Sequence, residues 1–116
     1  MISTIKDIKL AIVGLGYVGL PLALEFAKNR KVIGFDLKKK RIEELNSGID
    51  KNLEISKAEI ENSKNLNFTN NEEDLKYANC FIITVPTPID ELKKPDLQSL
   101  LQASEMIGKI IKEGDL

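Results

Sequence analysis

Short apolar runs alternate with amphipathic segments along most of the 116-residue chain. The apolar runs predict four β-strands, at residues 9–13, 32–35, 66–69 and 80–85. Between and after them, apolar side chains recur every three or four residues, which predicts helices with one apolar face. Shorter helices are expected near residues 57–63 and 72–78. A regular alternation of strands and helices is typical of an α/β protein with a doubly wound parallel sheet.

Several residues predict where the helices begin and end. Pro21 falls in the first turn of the first helix, where its missing N–H costs nothing. Ser56 and Glu59 have the spacing of a capping box, while Asp96 is expected to cap the last helix and Gly114 to end it. The fourth strand, CFIITV, is expected to be buried on both faces. The inward face of the last helix is expected to contain Leu97, Leu100, Leu101, Ile107, Ile110 and Ile111.

Composition narrows the classes of function. The chain is 42% hydrophobic, which suits one globular domain, and its formal net charge of -1 gives no electrostatic reason to expect a nucleic-acid partner. No apolar stretch approaches the roughly 20 residues of a membrane span, so no membrane partner is expected. The single cysteine, Cys80, argues against an internal disulfide and a Cys-cluster zinc site, and the absence of histidine argues against a Ser-His or Cys-His catalytic pair. We therefore expect a cytoplasmic protein.

The segment IVGLGYVG, residues 12–19, joins the first strand to the first helix and contains the pattern G-x-G-x-x-G. Gly14 permits a tight turn, Gly16 lets the backbone approach a pyrophosphate, and Gly19 lets the helix pack against the strand. Free N–H groups near Tyr17 and Val18 are expected to face the phosphates at the positive end of the helix dipole. The pattern predicts a dinucleotide site in a fold of the Rossmann type.

An acidic residue, Asp36, closes the second strand, 22 positions after Gly14. That spacing is expected of the acid that accepts hydrogen bonds from the adenosine ribose, and its charge favours NAD over NADP. The basic run of residues 38–41 weakens this preference, because a guanidinium near the ribose tolerates a 2′-phosphate. Two other interpretations are glycines that serve only strand-to-helix packing and a nucleotide site of the methyltransferase type.

A second motif, TVPTP at residues 84–88, follows the fourth strand. Ligands of this fold lie outside the carboxyl ends of the strands, where the strand order reverses beside the first strand. The loop that begins with Val85, Pro86 and Thr87 is therefore predicted to line the cofactor site. A rigid turn, in which the Thr87 hydroxyl merely satisfies the backbone, is the alternative.

The stretches GLGYVGLPLA, VIGFD, ITVPTPID and PDLQSL, in this order, closely resemble the N-terminal NAD-binding domain of the UDP-sugar 6-dehydrogenase family, within the UDP-glucose/GDP-mannose dehydrogenase superfamily. The resemblance covers roughly residues 7–116 and is greatest to the branch that acts on UDP-N-acetylhexosamines in surface polysaccharide biosynthesis. It implies NAD-dependent oxidation of a sugar C6 hydroxyl to a carboxylate, with two NAD per sugar and a cysteine thiohemiacetal between the two hydride transfers. By position, it implies that Tyr17 and Val18 contact the pyrophosphate, that Asp36 and Arg41 hold the adenosine ribose, and that Thr87 lies near the nicotinamide.

Family members are several times longer than this chain. Residues 1–116 are therefore expected to be an incomplete NAD-binding domain, without the central helix, the UDP-sugar-binding domain and the catalytic residues. Cys80 begins a strand and is expected to be a core residue, so no catalytic residue and no turnover are expected from this chain alone. We expect a homodimer for the complete enzyme and self-association through the fourth strand for this chain. A stand-alone NAD-binding or sensing module and a different NAD-dependent dehydrogenase are the alternatives.

Overall fold

One parallel sheet organises the computed structural model, which describes residues 2–51 and 55–116. Its strands are β1 (Leu10–Val13), β2 (Val32–Phe35), β3 (Leu66–Thr69) and β4 (Cys80–Ile83). They lie in the order β3-β2-β1-β4, with Leu10 opposite both Val32 and Cys80. The chain thus builds outward from β1 to β3 and then returns to the other side of β1. This topology confirms the predicted doubly wound α/β class and places the reversal of strand order between β1 and β4.

The helices follow the strands as predicted. They are α1 (Gly19–Ala27), α2 (Lys39–Asn46), α3 (Lys57–Asn62) and α4 (Gln98–Ile110), with 3-10 helices at Ile5–Asp7 and Glu72–Tyr77. The Ser56 hydroxyl oxygen accepts a hydrogen bond from the Glu59 N–H at 3.2 Å, so Ser56 caps α3 as predicted. The Asp96 carboxylate accepts from the Gln98 N–H at 3.0 Å, but it does so from one residue before the N-cap position, which Leu97 occupies.

Side chains of β1 alternate between two apolar clusters because successive residues of a strand point to opposite faces. Leu10 and Ile12 pack into a cluster with α1, α2 and α3, whereas Ala11 and Val13 pack into a second one with α4. All four residues of β1 are buried. The sheet is therefore covered on both faces, as parallel sheets usually are.

The fourth strand differs from its prediction. It ends at Ile83 instead of Val85, and after the buried Cys80 its side chains are only half-buried, because β4 lies at the edge of the sheet. The Phe81 N–H donates to the Leu116 carbonyl oxygen at 2.8 Å, and the Leu116 N–H donates to the Asn79 carbonyl oxygen at 2.9 Å. β4 is thus an edge strand, and the last residue pairs with part of that edge.

The predicted apolar face of the last helix was partly wrong. Leu97 and Ile111 flank α4 and are 47% and 43% exposed, and Leu101 is 60% exposed on its outer side. Ile107 is buried as predicted, and Ile110 is partly buried against the same cluster. The other buried residues of the helix, Ala103 and Met106, were not predicted, and they lie on the same side as Ile107. The helix also ends at Ile110, before the turn that contains Gly114.

Within the described ranges, no helix combines the length and the apolar character that a membrane span requires. The same residues contain no group of three or more His, Cys, Asp or Glu side chains placed to hold a metal ion.

Candidate functional site

The turn between β1 and α1 requires glycine at its first position. Gly14 has a φ of +106°, and its N–H donates to the Phe35 carbonyl oxygen at 2.8 Å. A Cβ atom on Gly14 would lie 2.9 Å from the Thr84 carbonyl carbon and oxygen and 2.9 Å from the Val85 nitrogen. The first glycine therefore lets the backbone of β1 pass directly beside the end of β4.

The other two glycines meet very different surroundings. A Cβ atom on Gly19 would overlap the Gly14 carbonyl oxygen and the Thr84 hydroxyl oxygen. A Cβ atom on Gly16 would find no atom within 4 Å among the described residues. Gly19 is thus needed for internal packing, whereas Gly16 borders open space. That space suits a ligand that approaches the backbone closely, such as a pyrophosphate.

The start of α1 has unused hydrogen-bonding capacity. No side chain of the described residues caps this helix, and Tyr17 and Val18 in the turn are 71% and 56% exposed. The Leu20 N–H donates to the Gly16 carbonyl oxygen at 3.0 Å, and Pro21 has no N–H. The donors that remain at the positive end of the helix dipole are therefore those of the turn and of the first helical residue. The turn therefore offers an anion a set of backbone donors beside Gly16.

Asp36, predicted to hold the ribose, follows the last residue of β2 and is half-buried. One of its carboxylate oxygens accepts from the Leu15 N–H at 3.0 Å, and the other accepts from the Lys38 N–H at 2.9 Å. Because a carboxylate oxygen accepts more than one hydrogen bond, both oxygens retain capacity for hydroxyl groups. The backbone thus fixes the orientation of this carboxylate at the rim of the glycine-rich turn.

Arg41, the other predicted ribose contact, lies in α2 with its guanidinium against the same turn. Its Nε donates to the Leu15 carbonyl oxygen at 2.7 Å, and its Nη1 donates to the Asp50 carboxylate at 2.9 Å. Its Nη2 is buried and has no hydrogen-bond partner among the described residues. Asp50 was not predicted from the sequence, and a single acid after a glycine turn gives no signal that it faces an arginine.

The second predicted loop begins where the strand order reverses. The Thr84 N–H donates to the Val13 carbonyl oxygen at 2.8 Å, and its hydroxyl donates to the Gly14 carbonyl oxygen at 2.7 Å. Val85 is half-buried, while Pro86 and Thr87 are exposed. The structure therefore brings the start of this loop beside the glycine-rich turn. Thr84 was missed as a site residue, although a polar residue at the end of an apolar strand is a recognisable signal.

Cys80 lies at the amino end of β4, whereas the glycine-rich turn follows the carboxyl end of β1. Its side chain packs in the first apolar cluster, and burial raises the pKa of its thiol. These positions put Cys80 at the opposite end of the sheet from the candidate site.

We expect Cys80 to react slowly with iodoacetamide, because the thiolate is the reactive species and burial disfavours it. The alkylation rate of the native chain at pH 7.5 is expected to be at least about tenfold lower than that of the chain unfolded in urea. Mass spectrometry over a time course measures both rates. Equal rates would contradict the buried position of the thiol.

A parallel sheet with a glycine-rich turn after its first strand and an acid after its second defines a dinucleotide-binding domain of the Rossmann type. The family model described as "UDP-glucose/GDP-mannose dehydrogenase family, NAD binding domain" matches residues 8–116. The chain therefore belongs to the UDP-glucose/GDP-mannose dehydrogenase family and corresponds to its NAD-binding domain. The predicted resemblance and the predicted cofactor, NAD, are confirmed.

Individual relatives agree with this assignment. The UDP-N-acetyl-D-glucosamine 6-dehydrogenase of Pseudomonas aeruginosa is 59% identical over 111 residues, which are 96% of this chain and 26% of that protein. The enzyme of the same name from Salmonella typhi is 53% identical over 112 residues, 97% of this chain and 26% of that protein. The structure of the UDP-D-ManNAc dehydrogenase from Pyrococcus horikoshii superposes with a TM-score of 0.86 at 34% identity, over 93% of this chain and 27% of that one. The chain thus spans about a quarter of the length of these relatives.

Proposed function

We propose that this chain is the NAD-binding part of a dehydrogenase that oxidises the C6 hydroxyl of a UDP-N-acetylhexosamine to a carboxylate in surface polysaccharide biosynthesis. The observation that carries the proposal is the 59% identity to a UDP-N-acetyl-D-glucosamine 6-dehydrogenase, together with a glycine-rich turn that leaves open space at Gly16. A cytoplasmic location accompanies the proposal, because the chain has a single cysteine, as expected of a protein in a reducing compartment.

The residues of the glycine-rich turn hold the cofactor in this proposal. The backbone N–H groups near Tyr17 and Val18 donate to the pyrophosphate, and the missing side chain of Gly16 lets it approach. The Asp36 carboxylate accepts from the adenosine ribose hydroxyls, and Arg41 fixes the adjoining backbone of Leu15. The uncapped start of α1 and the orphan Nη2 of Arg41 support this fit.

The loop after β4 serves the other half of the cofactor. Val85, Pro86 and Thr87 follow the reversal of strand order, where the nicotinamide half crosses from β1 to β4 in this fold. The Thr84 hydroxyl, bonded to the Gly14 carbonyl oxygen, ties this loop to the glycine-rich turn. The chain thereby sets the distance between the two halves of the site.

Oxidation of a primary alcohol to a carboxylate removes four electrons, as two hydrides, so each sugar requires two NAD. Bound NAD supplies the hydride acceptor. In this proposal the residues described above bind and orient NAD, and sequence outside these 116 residues supplies the sugar-nucleotide site and the catalytic groups.

The test compares this chain with the product of the complete reading frame from which it comes. We expect the chain alone to bind NAD in calorimetry but to give no absorbance increase at 340 nm with NAD and UDP-N-acetylglucosamine. The complete product is expected to form two NADH per sugar with a UDP-N-acetylhexosamine. UDP-N-acetylglucosamine is tried first, because two relatives that are 59% and 53% identical bear its name. A stop codon directly after Leu116, with NAD binding and no turnover, would favour a stand-alone NAD-binding module instead.

A further inference from the structure

Arg41 and Asp50 form a largely buried ion pair beside the glycine-rich turn. Their side chains are only 12% and 1% exposed, and the Arg41 Nη1 lies 2.9 Å from the Asp50 carboxylate. The other Asp50 oxygen accepts from the Ile55 N–H at 3.1 Å. The Asp50 carboxylate is therefore fixed, and it fixes the guanidinium in turn.

The backbone of Leu15, which this pair supports through the carbonyl group, is also held through its N–H. The Leu15 N–H donates to Asp36, and the Leu15 carbonyl oxygen accepts from the Arg41 Nε at 2.7 Å. Two of the three guanidinium nitrogens thus have internal partners. The groups joined by these contacts are two carboxylates and one guanidinium, which together carry a net charge of about -1 near the exposed Lys38.

We propose that Asp50 is a specificity-determining residue that makes this site select NAD over NADP, by holding Arg41 against the Leu15 carbonyl and neutralising its charge. NADP carries a 2′-phosphate with a charge of about -2, and proteins commonly accept such a group on an arginine with free donors. Here the arginine next to the ribose-binding acid has one nitrogen without a partner among the described residues, Nη2, and that nitrogen is buried. This inference rests on NAD binding at the glycine-rich turn, as proposed above.

A competing source of positive charge is the lysine that follows the strand end. Lys38 is exposed, and its N–H donates to the Asp36 carboxylate. If its ammonium group governed tolerance of a 2′-phosphate, Asp50 would have no part in the selection. The experiment must therefore separate Arg41 from Lys38.

The variant Asp50→Asn removes the charge and keeps a carbonyl oxygen for the Ile55 N–H. Titration calorimetry of this chain with NAD and with NADP gives the ratio of their dissociation constants. We expect the preference for NAD to fall at least about tenfold in Asp50→Asn, mainly through tighter NADP binding by the released Arg41. Adding Arg41→Met is expected to abolish the gain in NADP binding, whereas adding Lys38→Met is expected to retain it.

An unchanged ratio in a folded Asp50→Asn chain with intact NAD binding would overturn the inference but leave the proposed function standing. A gain that depends on Lys38 and not on Arg41 would also overturn it. A wild-type chain that binds neither nucleotide would count against both proposals for this chain. Circular dichroism establishes which variants are folded.

Removal of one member of a buried ion pair leaves the charge of the other without a partner. The double variant Arg41→Met/Asp50→Leu removes both charges and therefore provides an independent test. We expect this variant to lose affinity for NAD and for NADP by the same factor, because Arg41, when paired with Asp50, does not bind the 2′-phosphate. A loss confined to NADP would show that Arg41 already binds that phosphate in the wild-type chain, and would overturn the inference even if Asp50→Asn does not fold.

Discussion

Gly19→Ala is expected to lower the free energy of unfolding by about 3 kcal/mol or more, at the upper end of the usual cost of overpacking. The added methyl group would overlap the Gly14 carbonyl oxygen, which is backbone, as well as the Thr84 hydroxyl oxygen. Rotation of a side chain relieves only the second overlap, so the turn and α1 must move apart. Domains of this size are stable by only about 5–15 kcal/mol, and urea unfolding followed by circular dichroism resolves the loss.

Gly16→Ala is the matched control, since it places the same methyl group three residues away, in open space. Its free energy of unfolding is expected to stay within about 0.5 kcal/mol of the wild-type value. Its affinity for NAD is nevertheless expected to fall at least about tenfold, because the methyl group occupies the space that a pyrophosphate needs. The two substitutions would thus show that Gly19 is needed for stability and Gly16 for NAD binding.

A further variant tests the cause of the Gly19→Ala effect. The double variant Gly19→Ala/Thr84→Ala removes the side-chain overlap but retains the overlap with the Gly14 carbonyl oxygen. We expect it to recover little of the lost stability. Full recovery would mean that the threonine, and not the backbone of the turn, makes glycine necessary at this position.

The glycine-rich turn and Asp36 were predictable because their signals are local. A strand, three glycines at fixed spacing and an acid after the next strand lie within residues 10–36. The contact of Arg41 with the Leu15 carbonyl and Asp50 was not predictable, because it joins residues 9 and 26 positions apart through the packing of α2 against the turn. The number of residues between them predicts neither the distance from Arg41 to the Leu15 carbonyl oxygen nor the distance from Arg41 to Asp50.

The errors at β4 and α4 have a similar origin. The run CFIITV is apolar enough for a central strand, but its burial depends on the strand order, and β4 lies at the edge. Leu101 is apolar and lies in α4, yet it is exposed, and the inward face of the helix consists of Ala103, Met106 and Ile107, which are buried in the second cluster. A pattern of apolar residues therefore predicts the presence of a strand or helix more reliably than it predicts which face of that strand or helix is buried.

Asp36→Ala is expected to weaken NAD binding about 10- to 100-fold, because hydrogen bonds to a charged acceptor contribute about 1.5–3 kcal/mol. NADP binding is expected to weaken less or to improve, since the variant also removes a negative charge that repels a 2′-phosphate. Calorimetric titration with both nucleotides measures the two effects. The variant also loses two backbone contacts, from the Leu15 and Lys38 N–H groups, so its unfolding by urea must be measured alongside.

Asp7→Ala provides the matched control for those lost backbone contacts. The Asp7 carboxylate likewise accepts from two backbone N–H groups, those of Ser3 at 3.2 Å and Thr4 at 3.0 Å, but it lies near the amino end of β1, away from the turn. Its removal is expected to leave both dissociation constants unchanged. If a folded Asp36→Ala chain binds NAD as tightly as the wild type, Asp36 serves only to hold the Leu15 N–H. If both aspartate variants weaken NAD binding equally, the loss reflects general destabilisation, because only Asp36 lies where a ribose hydroxyl can reach its carboxylate.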